Sequence, residues 1–92
     1  MTTIAVRARI FGHVQGVAFR AWTQTEAEKH GLAGWVRNEP DGSVQTLVIG
    51  PSSQVAAMVR ALHQGPPAAQ VTNVETDTVE PDTEIVGFEI AG

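Results

Sequence analysis

Ninety-two residues, 42% of them hydrophobic and 17% charged, suit one small domain over residues 1–92 with a single core, and are too apolar for a disordered chain. The absence of cysteine excludes a disulfide framework and a thiolate metal site. No stretch approaches the ~20 apolar residues of a membrane span, and the amino terminus lacks a basic segment leading into an apolar run. These features point to a cytoplasmic protein with no membrane partner.

The net charge of −4 is unevenly spread. Arg7, Arg9, Arg20, Lys29 and Arg37 fall in the first 40 residues, whereas "VETDTVEPDTE" holds five carboxylates and no base. Overall acidity disfavours nucleic acid, whose binding rests on phosphate neutralisation; a small basic locus suits a small anion better.

In chain order, "IAVRARIF" (4–11) alternates Ile4, Val6, Ala8 and Ile10 against Arg7 and Arg9, a half-buried strand with its arginines on the open face. "FRAWTQTEAEKH" (19–30) reads as a helix with Phe19, Trp22 and Ala27 inward. Gly31 is placed to end it and Leu32 to cover its last turn. Residues 34–50 form a hairpin, "GWVRN" and "SVQTLVIG" flanking the turn residues Pro40, Asp41 and Gly42. In "PSSQVAAMVRALHQGPP", Val55, Met58, Val59 and Leu62 repeat at helical spacing, with Ser52 or Ser53 as the expected cap. "VTNVETDTV" suits an edge strand, and Val86, Phe88 and Ile90 alternate as a last short strand.

The resulting order is βαββαβ plus a short extra C-terminal strand. Two helices cannot cover both faces of such a sheet, so both belong on one. The expected class is therefore α+β, a ferredoxin-like α/β sandwich with an antiparallel sheet of mixed strand order. Right-handed crossovers would put the first and third strands side by side in the centre. Because this fold hosts enzymes, RNA binders and ligand sensors alike, function must come from a site.

The stretch "GHVQGVAFR" (12–20) is the candidate. Gly12 and Gly16 allow backbone angles that turn successive N–H groups inward, and the helix start adds partial positive charge. Arg20 opposes that helix dipole, which makes an anion its natural partner; its donor fork suits two phosphoryl oxygens. The spacing is neither a triphosphate-binding GxxxxGK[ST] loop nor GxGxxG. Taken alone it equally fits a tight strand-to-helix connection.

The wording is more specific than the spacing. "GHVQGVAFR" followed by "GLAGWVRNEPDGSV" closely resembles the acylphosphatase family, which pairs a G-x-VQGV-x-FR loop with a GWV-x-N segment and a DG turn. The resemblance covers residues 4–90. It implies hydrolysis of an acyl phosphate to carboxylate and inorganic phosphate, a small-molecule substrate, and no metal or other cofactor; a monomer is the expected state, though the sequence leaves oligomeric state open. Arg20 matches the phosphate-binding arginine and Asn38 the asparagine that orients the attacking water. The backbone amides of Gln15, Gly16, Val17 and Ala18 match the phosphate cradle. Two features depart from the family pattern: Ala18 fills a variable slot, and the tail reads "FEIAG" where many members end in tyrosine or arginine. Neither departure is expected to touch Arg20 or Asn38.

Other readings attach to the same residues. Asn38 precedes a turn, a common place for asparagine. His13, His30 and His63 are scattered without metal-ligand spacing, though His13 lies in the loop. Trp22 and Trp35 read as core or core-edge. A ferredoxin-like module binding RNA on its open sheet face, or binding an acyl or carbamoyl phosphate with little turnover, is the alternative to an enzyme.

Overall fold

The structure is a computed structural model that describes residues 2–92. Along the chain run β1 (Thr3–His13), α1 (Phe19–Lys29), β2 (Ala33–Asn38), β3 (Val44–Pro51), α2 (Ser52–Gln64), β4 (Gln70–Val79) and β5 (Phe88–Ile90). The sheet order is β4-β1-β3-β2-β5, so β1 and β3 are central neighbours, as handed crossovers require, and β4 forms one edge. β1 pairs antiparallel with β3 and β4, and β2 with β3, whereas β5 joins β2 in parallel. Among the described residues, no helix is long and apolar enough to cross a membrane.

Strand alternation decides which face is covered. Val6, Ala8 and Ile10 of β1 meet Val44 and Val48 of β3 in the core, under Phe19 and Ala27 of α1 and Val55, Met58 and Leu62 of α2. Both helices therefore lie on one face. The opposite face carries Arg7 and Arg9, and the ladder sets Arg7 opposite Asp77 and Arg9 opposite Glu75 on β4. The acidic segment thus lies against the basic one, which explains how a locally cationic strand sits in an acidic protein. Trp35 also belongs to this open face, half-buried opposite Leu47, with the Arg37 guanidinium 4.7 Å from its ring centroid. It is an open-face residue, whereas Trp22 packs on the core and against Phe19.

α1 ends as its sequence dictates. Gly31 adopts φ 67°, its N–H donates to Glu28, and the Leu32 N–H reaches the Ala27 carbonyl at 2.9 Å while the leucine side chain seals the turn. α2 begins differently from expectation. Neither Ser52 nor Ser53 caps it: Pro51 is the N-cap residue, and no side chain supplies a capping bond. The reason is that β3 stays paired up to Pro51, opposite Thr3, and runs straight into the helix. The Ser52 N–H, one of the free donors of the first turn, is met instead by the Thr2 carbonyl at 3.1 Å. The last strand is also shorter than its alternation suggests. It starts at Phe88, and Val86 lies outside it, 81% exposed.

Candidate active site

The loop between β1 and α1 is pinned at both ends by buried residues. Val14 and Phe19 are each 1% exposed, so the four residues between them arch out of the core. Along that arch Gly16 has φ 76° and Ala18 φ 61°, whereas Val17 lies outside this left-handed region. Alternation of this kind turns neighbouring N–H groups toward one side. Among the described residues, the N–H groups of Gln15, Gly16, Val17, Ala18, Phe19 and Arg20 have no protein acceptor. They form a set of unmet donors at the positive end of α1, whose first turn contains no acidic residue. The left-handed Ala18 is not visible in the sequence: alanine gives no hint of positive φ, and it is the N-cap residue of α1 without a capping side chain.

The arch forms one wall of a hollow of about 260 Å³. Gly16, Ala18 and Arg20 line it on that side, Asn38 lines it from the end of β2, and Ala21 and Ile90 supply an apolar rim. Arg20 and Asn38, 18 positions apart in sequence, are thereby brought to one place. Arg20 has no carboxylate side chain as a partner among the described residues, unlike Arg9, Arg37 and Lys29. Asn38 is half-buried, and its side-chain oxygen Oδ1 is fully buried with no hydrogen-bond partner. Such an orphaned acceptor is costly, typically ~1–3 kcal/mol, and rare enough to need a reason.

The tail reaches the site, contrary to expectation. Arg20 Nη1 donates to the main-chain oxygen of Gly92, and the Asn38 N–H approaches the same oxygen at 3.4 Å. The cause is the parallel pairing of β5 on β2, continued by the Ala91 N–H to the Val36 carbonyl at 2.8 Å, which carries residues 91–92 along to Asn38. Ile90, 43% exposed on the rim, belongs to this segment and was likewise not anticipated.

The other candidates separate clearly. The Gln15 side chain turns away from solvent, its Nε2 donating to the carbonyls of Glu39 and Ser43, each at 2.8 Å. His13 ends β1, exposed and paired with Gln70, and does not line the hollow. The Nδ1 atoms of His30 and His63 contact Gln54 Oε1 and the Val59 carbonyl. Among the described residues, no three His, Asp or Glu side chains gather as metal ligands would.

Known proteins share this chain's sequence and fold. The family model described as Acylphosphatase matches residues 6–90. A curated acylphosphatase from Rhizobium etli is 49% identical over 88 residues, 96% of this chain and 94% of that protein. One from Mesorhizobium japonicum is 49% identical over 86 residues, covering 94% and 92%. The crystal structure of acylphosphatase from Bacillus subtilis superimposes with a TM-score of 0.92 at 36% identity, covering 97% of this chain and 99% of that one. Sharing fold and sequence over nearly its whole length, the chain belongs to the acylphosphatase family of hydrolases.

Proposed function

We propose that this hollow cleaves the carboxyl–phosphate bond of a small acyl phosphate, releasing a carboxylate and inorganic phosphate. The phosphoryl oxygens lie in the arch, held by the free N–H groups of Gln15, Gly16, Val17 and Ala18 and by the Arg20 fork. The acyl group rests on the apolar rim of Ala21 and Ile90. Asn38 holds the attacking water through Oδ1, which accepts a hydrogen bond and aligns the water oxygen with the phosphorus.

The chemistry asks little more of the protein. A carboxylate leaves readily without a strong general acid, and phosphoryl transfer proceeds mainly through positioning and charge stabilisation. Asparagine is no base, so the water's proton passes to a phosphoryl oxygen of the substrate. The N–H groups and guanidinium meet the charge that redistributes over the three equatorial oxygens.

The observation that carries this reading is that Asn38, whose buried Oδ1 has no partner, lines the same hollow as Arg20. A polar atom left unsatisfied at a site is explained if a small rotation of the amide brings it to a water in the hollow when substrate binds. Every group named comes from one chain, so a monomer suffices, and a cysteine-free sequence suits the reducing cytoplasm. Nucleic acid has no part in this reading: the open-face Arg7 and Arg9 stand opposite carboxylates.

The test is phosphate release from benzoyl phosphate in the presence of a chelator. Release well above the spontaneous rate is expected. A rate equal to background, or one that appears only when a divalent metal is restored, overturns the metal-free mechanism.

A further inference from the structure

The two halves of the site stand on strands that do not touch. The phosphate arch follows β1 and Asn38 ends β2, but β3 lies between them in the sheet. Two strand spacings, about 9–10 Å, thus separate their supports. β3 spaces the two strands, Val44 pairing with both Ile10 and Asn38, but its pairing with β1 ends at Ile10, short of the arch.

The Gln15 carboxamide spans that gap. Its single Nε2 donates one hydrogen to the Glu39 carbonyl and the other to the Ser43 carbonyl, both at 2.8 Å. These carbonyls form the neck of the β2–β3 turn. The Glu39 N–H closes that neck on the Ser43 carbonyl at 2.8 Å, and the Gly42 N–H returns to the Glu39 carbonyl at 3.1 Å. Two facing carbonyls also fix the orientation of the amide, since only its NH2 end can satisfy both. Glu39 directly follows Asn38, and its carboxylate is held from the open face by Arg37 at 3.1 Å and Arg9 at 3.9 Å. The turn is therefore a firm anchor rather than a mobile tip.

We infer that the Gln15 side chain is a positioning residue that sets the separation between the phosphate arch and Asn38. Its main-chain N–H faces the phosphoryl group while its side chain holds the water-bearing strand end, so one residue registers both reactants. The in-line approach of water tolerates little displacement, and loss of the tie lowers turnover more than phosphate binding. This inference rests on the role proposed above for Asn38.

The test is a double-mutant cycle with benzoyl phosphate as substrate and inorganic phosphate as competitive inhibitor. Gln15→Met keeps length and shape but removes both donors. It is expected to lower kcat about tenfold, as a modest misplacement does, while the phosphate inhibition constant stays within about twofold. In an Asn38→Ala background, the same change is expected to cost almost nothing further. Gln15→Asn, one methylene shorter, replaces the methionine variant if that one fails to fold, and should fall between it and wild type. An unchanged kcat, a parallel loss of phosphate affinity, or an equal loss in the Asn38→Ala background overturns the inference. Full activity of Asn38→Ala alone overturns the water-holding role instead, so the two failures are distinguishable.

Discussion

The guanidinium of Arg20 donates to the main-chain oxygen of Gly92, a residue 72 positions away, at the mouth of the proposed phosphate site. One Nη1 hydrogen is used, so the other donors of the fork remain for a ligand. The contact orients a long, entropically costly side chain before substrate arrives. Ending the chain at Ile90 should therefore lower kcat/KM for benzoyl phosphate by about three- to tenfold by loosening Arg20. Steady-state kinetics on the shortened protein check this; unchanged kinetics would show that Arg20 needs no such support.

Arg20 itself should not tolerate a conservative replacement. Arg20→Ala is expected to weaken both turnover and inhibition by phosphate. Arg20→Lys keeps the charge but cannot reach Gly92 and two phosphoryl oxygens at once, so it should recover only a small part of either. Phosphate inhibition constants for the two variants, measured beside wild type, decide the point.

Asn38→Ala should separate activity from stability. Turnover is expected to drop ~10²–10³-fold, as for other polar groups at a reacting centre, while phosphate inhibition is retained. Yet the substitution also deletes a buried acceptor that has no partner. Thermal unfolding should accordingly show a variant as stable as wild type or more so, against the usual loss on truncating a half-buried side chain. A clear loss of stability would mean that Oδ1 is satisfied in solution without substrate.

Ala18 offers a backbone test. At φ 61° an L-residue pays roughly 1 kcal/mol or more that glycine does not, although glycine loses more freedom on folding. Ala18→Gly should leave stability equal or slightly raised. Ala56→Gly, on the exposed side of α2, should instead lose about 1 kcal/mol. Paired denaturant titrations give the comparison directly, and similar losses in both would argue against a left-handed Ala18.

Asp41 links the β2–β3 turn to pH. Hydrogen bonds from the Ser43 side chain and N–H, at 2.6 and 2.9 Å, hold its carboxyl below the ordinary aspartate value. A depressed folded-state value contributes stability that is full above the unfolded value and disappears as pH falls through the folded one. Because Asp41 is exposed, the effect should be small and confined to the acid side. Acid titration of Asp41→Asn should therefore show a shallower loss of stability below pH ~4 than wild type.

Much of this could be read from the sequence because it is local. Alternation along residues 4–11, the helical spacing of Val55, Met58 and Leu62, and Gly31 with Leu32 each act within a few positions, and the structure follows them. Arg20 and Asn38, which line one hollow, could be picked out as candidates because each sits inside a contiguous motif. What was missed depends on partners far along the chain. The acceptors of Gln15 lie 24 and 28 residues away, and nothing near "FEIAG" says that β5 will pair parallel to β2 and deliver Gly92 to Arg20. Ser52 looks like a cap by every local rule, but sheet pairing that runs through Pro51 overrides it.

The arrangement of the sheet also bears on how the protein gains activity as it folds. The groups at the hollow come from the loop after β1, the end of β2 and the residues after β5, and β3 and β5 must both be in register before they meet. Contacts between such distant parts of the chain form slowly and late. A collapsed or partly zipped chain therefore has an arch of free N–H groups, an Asn38 amide and an Arg20 guanidinium that do not face one another. Regained hydrolysis during refolding should keep pace with the last spectroscopic phase, which makes turnover a direct clock for completion of the native state.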